Sequence, residues 1–177
     1  LWGGGGRGRE LVMDVKRTIK HLFAPEWVVS RVFPRGALKR IEAAIKASET
    51  LHQGELRFAI EAGLDLMPLL RGLTPRQRAV DVFSRLRVWD TEHNSGVLIY
   101  VQLVDRRIEI VADRGINAKV EQGQWEAICR RMEEAFRARR FEEGALGGLR
   151  ELTALLARHF PPVGENPDEL PDRPVVL

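Results

Sequence analysis

A single cysteine, Cys129, is present among 177 residues, so no internal disulfide can form. The fold must then rest on its core, and a reducing compartment is expected. No stretch approaches the roughly 18 uncharged apolar residues that a membrane-crossing helix needs. Lys and Arg number 28 against 25 Asp and Glu, and a net charge of +3 is too slight to point to nucleic acid. The four histidines, at positions 21, 52, 93 and 159, are scattered, which argues against a His-rich metal centre. The P-loop, HExxH, GxSxG, CxxC and EF-hand patterns do not occur. Gly3, Gly5 and Gly8 formally spell GxGxxG, but no strand precedes them, so the match carries no meaning.

The opening LWGGGGRGRELV lacks the apolar centre of a secretory signal. Residues 1–12 read as a disordered or expression-derived leader, with Met13 as the expected native start. Residues 13–54 read as a helical segment, 55–160 as an α/β domain and 161–177 as a Pro-rich tail. A content of 44% hydrophobic and 30% charged residues suits a chain that closes one core.

Periodicity supplies the elements. Val15, Ile19, Leu22 and Phe23 share a helical face opposite Lys16, Arg17, Lys20 and His21. Short helices follow from Pro25, carrying Trp27, Val28, Val32 and Phe33, and then along Leu38, Ile41, Ala44 and Ile45. In ELRFAIE, residues 55–61, apolar and charged residues alternate as in a half-buried strand, with Glu55, Arg57 and Glu61 on a solvated face. Glu109 reads the same way. Thr74-Pro75 opens a helix whose buried stripe is expected at Ala79, Val80, Phe83 and Leu86.

The run GVLIYVQLV from Gly96 reads as a strand covered on both faces. RRIEIVA follows too closely for a parallel return, so the two form an antiparallel hairpin turning at Asp105-Arg106. A helix over 121–139 places Trp125, Ile128, Cys129, Met132 and Phe136 on one stripe, which makes Cys129 an inert buried thiol. A last helix over 142–159 contains Gly147-Gly148, costing about 1 kcal/mol per glycine and pointing to a close packing contact. The predicted architecture is a three-layer α/β/α sandwich, its mixed sheet built on a central antiparallel hairpin, with a further short strand among the links. The terminal Val175-Val176-Leu177 can add as a strand to a sheet edge, its own or a partner's.

Two polar stretches stand out. RVWDTEHNSG, residues 87–96, precedes the central strand, and Asp113 to Asn117 ends its partner. In a hairpin these meet at one rim. Asp90, Glu92, Asn94, Asp113 and Asn117 are therefore candidate oxygen ligands for Ca2+ or Mg2+. His93 and Arg114 are candidate ligand-binding residues, Arg114 through its fork of donors toward an anion. The plainer reading is that the Asp and Asn residues cap turns and pair with Arg87 or Arg114.

Asn94 to Ile116, together with AFRARRFEEGALGGL from Ala135, resembles the TPM-domain family of bacterial membrane-linked proteins and a thylakoid photosystem repair protein. The second stretch is similar to the family's Phe-Arg-x-Gly-x-[Tyr/Phe]-x-x-Gly turn between its last two helices. The resemblance covers residues 55–160 and implies an α/β/α sandwich, divalent-cation binding at acidic loops and, for plant members, acid phosphatase activity. The family's Asp-Asn-Gly is Asn94-Ser95-Gly96 here, and Val111 and Asn117 stand where members carry acids. The expected function is a non-catalytic accessory or interaction module with a protein partner. A metal-assisted phosphatase, using Asp90, Glu92 and Asp113, is the alternative. A cytoplasmic location is expected, at most peripheral at a membrane through residues 14–33.

Overall fold

A computed structural model describes residues 27–63, 72–163 and 168–177. The helix expected over residues 14–23 and most of the link around residues 63–72 lie outside the described residues. The elements run α1 (Trp27–Val32), α2 (Arg35–Glu49), β1 (Glu55–Glu61), α3 (Pro75–Arg85), β2 (Gly96–Gln102), β3 (Arg107–Ala112), α4 (Arg114–Asn117), α5 (Gln122–Arg137), α6 (Phe141–His159) and β4 (Val175–Val176).

The four strands form one mixed sheet in the order β3-β2-β1-β4. β2 and β3 are the antiparallel hairpin, with Val97 opposite Ala112 and Gln102 opposite Arg107. β1 lies parallel to β2, Glu55 beside Gly96. β4 lies parallel to β1, Ala59 beside Val175, so the further strand comes from the tail and joins the chain's own sheet. The Leu177 N–H donates to the Ile60 carbonyl at 2.9 Å and closes this edge.

Strand alternation divides the core between two faces. Leu56, Phe58, Ile60, Val97, Ile99 and Val101 pack against α2, α5 and α6 through Ile41, Ile45, Ile128, Met132, Leu149 and Leu152. Phe33, just after α1, lies in this core, its ring centroid 5.9 Å from Phe136 and 6.3 Å from Phe58. Residues before Glu55 thus share the core of the sheet. On the opposite face, Ala59, Leu98, Tyr100 and Val111 meet Ala79, Val82 and Phe83 of α3 and Leu170 of the tail. The three-layer sandwich is complete.

Two local expectations change. The buried position in the middle of α3 is Val82, at 1% exposure, whereas Val80 is 45% exposed. The buried stripe also includes Arg78, whose charge is met from the sheet. All seven residues of β1 are buried, so its charged side is not a solvated face. α3 and the tail cover it, as the contacts of Glu61 and Glu55 described below establish. Glu109 on β3 is half-buried, 3.7 Å from Arg76.

Helix ends follow the sequence chemistry. Thr74 makes a capping box with Gln77, and Pro75 occupies the first turn of α3. In the turn from α5 to α6, Arg139 stands at the position the motif writes as glycine and adopts φ +59°. Of the Gly147-Gly148 pair, Gly148 is the close contact: a Cβ there would overlap the Met132 sulfur.

Candidate functional site

The hairpin places the two polar stretches side by side. The Asp113 N–H donates to the Gly96 carbonyl at 2.8 Å, and Arg114 Nε donates to Asn94 Oδ1 at 3.0 Å. Their backbones touch at Gly115, where a Cβ would sit 2.6 Å from the Asn94 carbonyl oxygen and 2.8 Å from that of His93. Only glycine permits this approach without a shift.

Within the rim, the Asp90, Asn94 and Asp113 side chains have local partners. Asp90 pairs with Arg87 at 2.6 Å, both exposed. Asn94 adopts φ +52°, a left-handed conformation that asparagine tolerates, and its side chain accepts from Arg114. Asp113 Oδ1 caps α4 by accepting from the Arg114 N–H at 2.7 Å. Asp113 Oδ2 is buried without a hydrogen-bond partner. Asn117 closes the same turn through its backbone N–H, 2.8 Å from the Asp113 carbonyl, with its side chain exposed. His93 is exposed, and so is Glu92, whose backbone N–H donates to the Glu169 carboxylate at 2.9 Å. The candidates are neighbours in space. Asp90, Glu92, His93 and Asp113 nevertheless do not bring three ligand atoms within 4.8 Å of one another.

Among the described residues, the triad that does so is Glu49, Glu55 and Asp168. It lies at the same end of the sheet, where Glu55 opens β1 beside Gly96 and the tail crosses over. Sequence reasoning placed Glu55 on a solvated face and read 161–177 as a Pro-rich tail with a strand at its very end. The available signal was the recurrence of apolar residues at Leu170 and Val175 to Leu177 within the Pro-rich stretch.

The opposite end of β1 holds a second polar group that sequence reasoning missed. Arg78 of α3 donates to both oxygens of Glu61, Nη2 lying 2.6 Å from Oε1, and the Tyr100 hydroxyl donates to Glu61 Oε2. Arg78 also reaches Asp81 at 2.6 Å. Burial, and then the Glu61 charge, push the Tyr100 hydroxyl well above its usual range. Burial works against the Arg78 charge, but the hydrogen bond and attraction of Glu61 more than offset it. Glu61 is thus a satisfied buried carboxylate.

Burial, followed by the neighbouring Glu109 charge, pushes the Cys129 thiol up to about 12. A thiol of that kind stays protonated at neutral pH and is a poor nucleophile.

The family model described as TPM domain matches residues 30–155. Among solved structures, the chain is similar to the NMR structure of BA42 protein from the psychrophilic bacterium Bizionia argentinensis. Identity is 30% and the TM-score 0.68, covering 80% of this chain and 93% of that one. The solution NMR structure of the N-terminal domain of a P. gingivalis protein shares the fold at 16% identity. Its TM-score is 0.57, covering 81% of this chain and 97% of that one. No curated protein sequence matches the chain.

Proposed function

The chain belongs to the TPM-domain family, and from that premise we propose that it acts as a non-catalytic accessory module that engages a protein partner. The observation that carries this reading is the internal commitment of the hairpin rim. Asp90 is held by Arg87, Asn94 by Arg114, and Asp113 by the end of α4. A phosphomonoesterase would require such groups to converge on a cation or on the transferred phosphoryl group. Cys129 is half-buried, and a thiol pushed up to about 12 is a poor nucleophile. Trp89, 49% exposed in the rim loop and beneath the Arg87 guanidinium, is the kind of aromatic side chain on which interfaces are anchored.

The test has two readouts on the full chain. Incubation with a generic phosphomonoester and millimolar calcium, magnesium or manganese is expected to give no turnover. Affinity capture from the source cell is expected to retain a partner that Trp89→Ala loses. Turnover abolished by Asp113→Ala would replace this reading with the metal-assisted phosphatase.

A further inference from the structure

We propose that Glu49, Glu55 and Asp168 form a site for a divalent cation of calcium type, which fastens the C-terminal tail across the amino-terminal end of β1. The three residues come from the end of α2, the start of β1 and the tail, so a single ion would tie together three separate parts of the chain. Their ligand atoms lie within 4.8 Å of one another, a span that two calcium–oxygen bonds of about 2.4 Å can bridge.

The cluster is more than a patch of acid. Glu55 is 2% exposed, and its Oε1 is buried without a hydrogen-bond partner. Its Oε2 accepts a long bond from the Leu170 N–H, at 3.2 Å, and the Glu169 backbone also faces the carboxylate. Buried oxygens without partners recur at Glu49 Oε1 and at Asp172 Oδ1, beside the same tail. A carboxylate removed from water needs either a proton or a positive partner. Arg57, two residues along β1, is turned to the tail backbone, where its Nη1 donates to the Pro171 carbonyl.

Titration tendencies agree with this geometry. Burial, with the Asp168 and Glu169 charges adding to it, raises the Glu55 carboxyl to about 7. Burial and then the facing Asp172 carboxyl raise Glu49 as well. The groups around Glu55 are therefore Glu49, Asp168 and Glu169, with Asp172 beside Glu49 and Arg57 beside Asp172. A bound cation would oppose the upward shift at Glu55 and Glu49 by supplying the positive partner that the cluster lacks.

The site is distinct from the hairpin-rim candidates and stands or falls separately from the proposed partner role. Calorimetric titration of the metal-free full chain with calcium chloride at pH 7.5 tests it, together with amide exchange at Leu170 and Leu177. Saturable binding with slowed exchange at both amides is expected. Asp168→Asn, at an exposed tail position that leaves the core intact, should weaken binding at least about tenfold, and Glu55→Gln should do the same. Absence of saturable binding at millimolar calcium would overturn the proposal. So would binding that neither substitution weakens, or slowed amide exchange confined to residues 90–96 and 113–117.

Discussion

Glu61 and Glu55 lie at opposite ends of one strand, each 2% exposed, in opposite electrostatic settings. Glu61 accepts from both Arg78 and Tyr100, and Asp81 accepts from the Nη1 of that guanidinium. Glu55 meets backbone donors of the tail and the carboxylates of Glu49, Asp168 and Glu169. The first arrangement is complete within the chain and ties α3 to the sheet. The second is incomplete, and its members come from three separate segments, α2, β1 and the tail. Burial alone does not separate a structural carboxylate from a ligand; the sign of what surrounds it does.

Perturbing the two ends separately should show the contrast. Arg78→Met leaves Glu61 as an uncompensated buried charge. Chemical denaturation should show a loss of about 3–5 kcal/mol, as for other broken buried pairs. A loss below about 1 kcal/mol would mean that Glu61 is hydrated or protonated instead.

Glu55→Gln should act in the opposite direction in metal-free protein. A carboxyl raised to about 7 in the folded state stabilises fully below the unfolded value near 4.5, and that contribution disappears as pH rises through 7. The variant should therefore match the native chain near pH 4.5 and become the more stable of the two by pH 8. Taking the difference between the two proteins removes the contribution of His52. Burial lowers that imidazole to about 4, so it loses stability in the other direction, as pH falls from about 6.5. Equal melting profiles at pH 8 would show that Glu55 carries no unfavourable charge.

Smaller effects are expected away from β1. Arg139→Gly relieves a left-handed backbone and should add about 1 kcal/mol in thermal unfolding. Asp113→Ala removes the α4 cap and should cost about 1 kcal/mol while leaving calcium affinity at Glu55 unchanged. Loss of that affinity would join the hairpin rim to the acidic triad as one site.

Local patterning made much of the architecture readable. The β-branched run of β2, its short turn into β3 and the Thr74-Pro75 start of α3 all announce themselves within a few residues. The meeting of Asn94 with Arg114 followed from the hairpin alone. The acidic triad did not follow, because period-2 alternation marks two faces of a strand without saying what covers either. The cover on Glu55 comes from Leu170, 115 positions away, and its companions Glu49 and Asp168 lie on different elements. Arg78 likewise carries no local signal of burial; its partner Glu61 comes from a different element.

The most direct measurement is the carbon-13 chemical shift of the Glu55 side-chain carboxyl, followed against pH in the metal-free full chain and again with calcium. The expected midpoint lies near 7 without the ion and falls well below that with calcium present. A midpoint in the ordinary glutamate range without metal, or one that calcium leaves in place, would contradict the assignment of Glu55 as a cation ligand.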